Sequence, residues 1–269
     1  MGILNLPVLT DPEERQDIFA APHYSYSRLA KYLTCPEQYR LYYLERLRPR
    51  IPSASLVFGQ ILHQALAELL ANQGDPVKYF QEAWRAVQRT DLRYGARDSC
   101  EKLSASGEEL LSRFQAEELP KLGKVEYVEK PFSLDITTLD LPFVGIIDLV
   151  AHYEGQRTVI DFKTSAKAYE KHEVQLADQL TAYQLAEPTA EQSAFCCLLK
   201  TKDSRIDWHV VRRTPNDLAE YLVKVGLTAR AIQDGEFYKR SGFWCAWCDF
   251  LPVCLGDQKR VKENLIQLS

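Results

Sequence analysis

Residues 141–164 read LPFVGIIDLVAHYEGQRTVIDFKT. Two apolar runs rich in valine, isoleucine and phenylalanine flank a Glu154-Gly155-Gln156 turn, which is the pattern of a β-hairpin. A hairpin of this length brings Asp148 and Asp161 to the same end of neighbouring strands. Asp161 and Lys163 are two residues apart and share one face, while Ile160 and Phe162 point the other way, into a core. Two carboxylates at close range repel each other unless a hard cation such as magnesium or manganese lies between them. A lysine beside that ion can orient or deprotonate water, or neutralise charge developing on a phosphate. The same spacing also fits a pair of solvated edge carboxylates with a surface lysine.

Outward from this hairpin the period of the sequence changes. Residues 126–136 (EYVEKPFSLDI) alternate as a strand, and so do 193–201 (SAFCCLLKT) and 205–213 (RIDWHVVRR). A helix is expected over 171–187 and another over 217–235, stopped by Gly235. Upstream of Val125 the periodicity is helical. One helix runs from Ser25 to Leu47 with Ser25 or Ser27 as N-cap and a break near Pro36. Others cover 58–74, 76–90 and roughly 99–119. These elements make one mixed α/β domain: an irregular arm over 1–23, a mainly helical part over 24–123, an α/β core over 124–234, a cysteine-rich segment over 235–256 and a C-terminal helix over 257–269.

Three further features keep company with the carboxylates. His63 sits in G-x-x-x-H (Gly59 to His63) on an otherwise apolar helix. Gly145 and Asp148 form G-x-x-D. Gln179 and Tyr183, at i and i+4, share a helix face, with Gln175 one turn earlier. Taken singly they also read as a core histidine and bland polar positions on an amphipathic helix. Their order is distinctive. G-x-x-x-H, G-x-x-D, D-x-K (Asp161 to Lys163) and Q-x-x-x-Y (Gln179 to Tyr183), preceded by S-x-S-R-L-x-x-Y-x-x-C-P from Ser25 to Pro36, resemble the RecB-like branch of the PD-(D/E)XK nucleases over about residues 24–256.

The resemblance implies a restriction-endonuclease-like fold, a mixed β-sheet flanked by helices. It also implies a DNA nuclease, most naturally an exonuclease, dependent on Mg or Mn. His63, Asp148 and Asp161 would ligate the ion together with the backbone carbonyl of Phe162. Lys163 would activate the attacking water or stabilise the phosphorane, and Gln179 and Tyr183 would contact DNA or support the site. A reading from another class keeps the fold and discards the chemistry: a catalytically silent iron–sulfur DNA-binding or scaffold subunit of a helicase–nuclease assembly.

Seven cysteines are present. Cys245, Cys248 and Cys254 form C-x2-C-x5-C, close enough to serve one metal centre, and Cys35 is the candidate fourth ligand from far upstream. Structural zinc usually takes paired short knuckles, which this spacing fits poorly. The arrangement is similar to the iron–sulfur variant of RecB-like nucleases, including AddB-type subunits and CRISPR-associated adaptation nucleases, and that similarity implies a 4Fe-4S cluster of structural role. Cys196 and Cys197 read as core thiols and Cys100 as incidental.

Composition bounds the rest. The chain has 269 residues, 46% hydrophobic and 26% charged, with a formal net charge of −4. That length buries a core without disulfide staples, and the slight acidity excludes a charge-only nucleic-acid binder. The opening MGILNLPVLTDPEERQDIF lacks the basic and apolar regions of a secretory signal, and no long unbroken apolar run marks a membrane span. A cytoplasmic protein with no membrane partner is expected. Its partners would be single-stranded or end-containing duplex DNA and a separate helicase or recombination or adaptation protein, since no G-x4-G-K-[ST] motif occurs. Basic clusters at Arg46, Arg48 and Arg50, at Lys163, Lys167 and Lys171, and at Lys200, Lys202, Arg205, Arg212 and Arg213 fit phosphate contacts or plain solvation equally well.

Overall fold

The computed structural model describes residues 8–9, 18–87 and 91–268. In chain order its elements are β1 (Val8–Leu9), α1 (Tyr26–Thr34), α2 (Pro36–Tyr39), β2 (Leu47–Pro49), α3 (Ala54–Asn72), α4 (Pro76–Val87), α5 (Cys100–Arg113), β3 (Leu122–Leu134), β4 (Phe143–Tyr153) and β5 (Gln156–Ser165). There follow α6 (Lys171–Gln175), α7 (Asp178–Ala186), β6 (Gln192–Leu199), β7 (Arg205–Val211), α8 (Pro215–Gln233), α9 (Leu251–Leu255), α10 (Gln258–Asn264) and β8 (Leu265–Gln267).

Among the described residues a six-stranded sheet has the order β1-β3-β4-β5-β6-β7. β3, β4 and β5 form an antiparallel meander, β6 lies parallel to β5 after a helical crossover, and β7 returns antiparallel to β6. The sheet is therefore mixed and flanked by helices, as the restriction-endonuclease-like expectation requires. Alternation along the strands divides the core in two. On one face Leu149, Ala151, Ile160, Phe162, Ala194, Cys196 and Leu198 pack under α3, α4 and α5. On the other, Val150 and Val159 meet Leu29 of α1, Ala182 and Tyr183 of α7, and Tyr221 and Val225 of α8.

Several expected boundaries shift for identifiable reasons. The first helix is capped by the Ser25 hydroxyl, which accepts the Arg28 N–H, and it ends before Pro36. Leu47 leaves it altogether for β2. The single helix expected over 171–187 is broken at Leu176–Ala177. There the Arg213 guanidinium donates to the carbonyls of Val174, Gln175 and Ala177, satisfying the acceptors that a helix end leaves open. The C-terminal helix expected over 257–269 stops at Asn264. Leu265–Gln267 then pairs antiparallel with Leu47–Pro49, docking the end of the chain on its helical beginning. In the arm expected over 1–23, Val8–Leu9 adds a short strand parallel to Tyr127–Val128. Residues 1–7 and 10–17 of that arm, and 88–90 of the helix expected over 76–90, lie outside the described residues.

α3 is long and apolar enough by composition to cross a membrane. Phe58, Leu62, Ala65 and Leu66 are fully buried in the core beneath it, so its apolarity is accounted for by packing.

Candidate active site

The β4–β5 ladder supplies the geometry. Its pairs run from Tyr153–Gln156 to Leu149–Ile160 and stop there, although both strands continue. One step further Asp148 and Asp161 face each other across the opening. In place of the next backbone bond, the Asp148 carboxylate accepts the Phe162 N–H at 2.8 Å. The Phe162 side chain lies in the core at 2% exposure, so this residue acts at the site through its peptide.

The gap between the strands admits groups from both helix layers. From α3, His63 Nδ1 lies 3.4 Å from Asp148 Oδ2. Gly59 makes that approach possible, because a Cβ there would sit 2.9 Å from Thr164 Oγ1 on β5. From the other layer, Gln179 of α7 donates from Nε2 to Asp161 Oδ1 at 2.7 Å and to the Tyr183 hydroxyl at 3.0 Å. Its Oε1 accepts from Lys163 Nζ at 2.6 Å. Lys163 Nζ is also 2.7 Å from Asp161 Oδ2, forming an ion pair with it. The helix break at Leu176 aims α7 at the site and leaves Gln175 outside it.

Burial shapes the electrostatics. Asp161 is 2% exposed; burial pushes its carboxyl up to about 6, with Lys163 opposing and the Asp148 charge adding to the rise. For His63, burial favours the neutral ring, but the bond to Asp148 and the two carboxylate charges outweigh it and hold the pKa above the ordinary histidine value. Lys163 behaves alike: burial lowers it, and Asp161 more than restores it. The Tyr183 phenol is driven well above its ordinary range, first by burial and then by the carboxylates, and stays protonated. Two tyrosines escaped sequence reasoning. Tyr26 of α1 and Tyr169 both lie in electrostatic reach of Lys163 and Asp161. Tyr169 packs on Phe195, whose ring lies 5.1 Å beneath Lys163 Nζ. Nothing local separates such tyrosines from core aromatics.

Among the described residues no three His, Cys, Asp or Glu side chains converge tightly enough to grip a lone metal ion. The donor set nonetheless suits a hard divalent cation. Two facing carboxylates, one of them buried and held above its ordinary pKa despite the Lys163 ion pair, are donors of the kind such an ion takes.

The distant cysteines do come together. Cys35, Cys245, Cys248 and Cys254 line one cavity of about 180 Å³, together with Gln38, Leu41, Trp244 and Phe250. The Cys248 sulfur accepts from Gln38 Nε2 and the Cys35 sulfur from the Arg240 N–H, each at 3.5 Å. All four thiols are free and half-buried. Cys196 and Cys197 are core residues, and Cys100 packs against the core rather than standing idle.

Several basic residues have structural employment. Arg48 stacks 3.4 Å above the Tyr42 ring, Arg50 donates to the carbonyls of Lys262, Glu263 and Leu265, and Lys200 pairs with Asp98.

A protein from Eubacterium rectale, provisionally described as an exonuclease, has a crystal structure similar to this chain at TM-score 0.56 and 14% identity, covering 89% of this chain and 92% of its own; the likeness is one of fold. The crystal structure of SSO0001 is more remote, at TM-score 0.38 and 15% identity over 74% of this chain and 84% of its own, and carries no argument. No curated protein matches the sequence. The family model of the PD-(D/E)XK nuclease superfamily matches residues 23–255. Spanning both the split strands and the cysteine cavity, that match means the chain belongs to the PD-(D/E)XK nuclease superfamily.

Proposed function

We propose that the protein is a Mg- or Mn-dependent DNA exonuclease of the RecB-like branch. It hydrolyses phosphodiester bonds in single-stranded DNA or at duplex ends, in the cytoplasm and beside a separate helicase or recombination or adaptation partner. One observation carries the reading: Asp148 and Asp161 face each other where β4 and β5 part, with Lys163 and Gln179 both bound to Asp161. His63, Asp148, Asp161 and the Phe162 carbonyl would hold the ion, which when bound supplies a Lewis acid for the phosphate and a more acidic water.

The chain's own groups do the rest. Lys163 holds a proton at Nζ, ready to orient water or to meet negative charge on the phosphate. Gln179 fixes Lys163 relative to Asp161, and Tyr183, bound to Gln179, keeps that amide in place. The water-poor setting of Asp161 strengthens each of these interactions.

We further propose a 4Fe-4S cluster held by Cys35, Cys245, Cys248 and Cys254, with a structural role. The shared cavity and the hydrogen bonds to two of its sulfurs support it.

Anaerobically purified protein digesting end-labelled single- and double-stranded DNA with manganese tests the activity. Lys163→Ala is expected to abolish cleavage; degradation at the wild-type rate would refute the site. Iron and sulfide assays on the same sample test the cluster, and zinc without sulfide would sink it.

A further inference from the structure

Two large aromatic side chains stand in solvent although the chain around them is firmly held. Phe243 and Trp247 are 77% and 76% exposed, with ring centroids 6.1 Å apart at 78°. Both sit on the short 3-10 turn Phe243–Trp247. The turn is anchored from behind. Trp244 donates from Nε1 to the Arg240 carbonyl at 2.9 Å, and the Arg240 guanidinium lies 5.0 Å over its ring. Gly242 permits this fold-back, since a Cβ there would meet Trp244 at 2.4 Å. Cys245 and Cys248 face the cysteine cavity. With positions 244, 245 and 248 turned inward, 243 and 247 are displayed outward by the fold itself.

The chemistry around these rings is selective. Beside the rings two cations are exposed, Lys239, which donates to the Cys254 carbonyl, and Arg240, which donates to the Leu33 carbonyl, while the neighbouring Asp249 is paired with Arg93. Open aromatic faces beside exposed cations match stacked bases joined by phosphates. The ledge is also connected to the catalytic candidates. α1 starts at Tyr26, in electrostatic reach of Asp161 and Lys163, and ends where the Leu33 carbonyl accepts from Arg240 and Cys35 lines the cavity. Nine residues of helix span about 13 Å, a distance that a few nucleotides of extended strand cover.

We propose that Phe243 and Trp247 form a stacking ledge for an unpaired strand of DNA leading to or from the active site. This rests on the nuclease reading above and adds a binding site to it.

The test measures fluorescence anisotropy of fluorescein-labelled oligothymidylate with Lys163→Ala protein, so that the probe survives. Adding Phe243→Ala and Trp247→Ala is expected to weaken binding by about ten-fold or more. Trp247→Phe alone, which keeps a ring, should bind close to the parent. A blunt duplex should compete poorly. In otherwise wild-type protein, Phe243→Ala/Trp247→Ala should leave manganese-dependent hydrolysis of bis(p-nitrophenyl) phosphate unchanged, because that substrate is too short to reach the ledge from the active site. Undiminished oligothymidylate affinity in the double variant, or equal competition by duplex, overturns the ledge. So does a wild-type dimer, seen by sedimentation, that the double substitution dissolves without touching DNA affinity. Wild-type protein that hydrolyses neither substrate, yet loses oligothymidylate binding with the double substitution, overturns the nuclease reading and leaves the ledge standing.

Discussion

The Asp148 carboxylate accepts the Phe162 backbone N–H at 2.8 Å, so a side chain of β4 takes over the ladder where the strands part. One oxygen thereby serves the fold, and the same oxygen lies 3.4 Å from His63. Asp148→Ala leaves a buried N–H without its acceptor, at a cost of about 1–3 kcal/mol. Asp148→Asn retains an acceptor oxygen. Urea unfolding should rank wild type, Asn and Ala in falling stability, while DNA cleavage is lost equally in both variants.

Gln179 joins three groups of the site, and its removal should be felt in turnover more than in folding. Gln179→Ala frees Lys163 and Asp161 to drift from their mutual geometry, and misplacement of about 1 Å costs on the order of 10²-fold in rate. Single-turnover cleavage of an end-labelled strand should fall by that order, with oligothymidylate affinity little changed.

Gly59 lets α3 lie on β5. Gly59→Ala gains helix propensity of about 1 kcal/mol, but its Cβ at 2.9 Å from Thr164 Oγ1 crowds the interface, and overpacking of this kind costs about 1–3 kcal/mol. The clash wins, lowering stability and moving His63 away from Asp148. Thr164→Ala introduced alongside should recover the melting temperature, which a purely local helix effect would not do.

Thr214 and Asp217 cap α8 reciprocally: Asp217 Oδ2 accepts from the Thr214 N–H at 2.7 Å and its hydroxyl at 2.8 Å, and the Thr214 hydroxyl accepts the Asp217 N–H. These bonds hold the Asp217 carboxyl below its ordinary value. A depressed carboxylate contributes stability above its unfolded pKa of about 3.9 and loses it as pH falls through the lower folded value. Asp217→Asn should lower the melting temperature near neutrality and converge with wild type below the usual aspartate range, flattening the acid limb.

Much of this protein was legible locally. The apolar runs at 141–153 and 157–164 announced the hairpin, the two-residue step from Asp161 to Lys163 put both on one face, and i, i+4 spacing paired Gln179 with Tyr183. Such features depend on the fixed period of a strand or helix, which a few neighbouring residues determine by themselves. The sequence motifs also carried their own order, which is why the family resemblance was visible without coordinates.

Tertiary structure decided what depends on groups far apart in the chain. Arg213 breaks a continuous helical pattern at Leu176 from across the fold, aiming Gln179 at the carboxylates and excluding Gln175. The peptide of Phe162, which has no side-chain signature, holds Asp148. Leu265–Gln267 abandons helical periodicity because the unpaired edge of Leu47–Pro49 offers hydrogen bonds that a last helical turn lacks. Cys35 meets Cys245, Cys248 and Cys254 in one cavity only after both ends of the chain have packed. Local period sets the elements, whereas the meeting of distant groups is set by which buried donors and acceptors the packed elements leave to be satisfied.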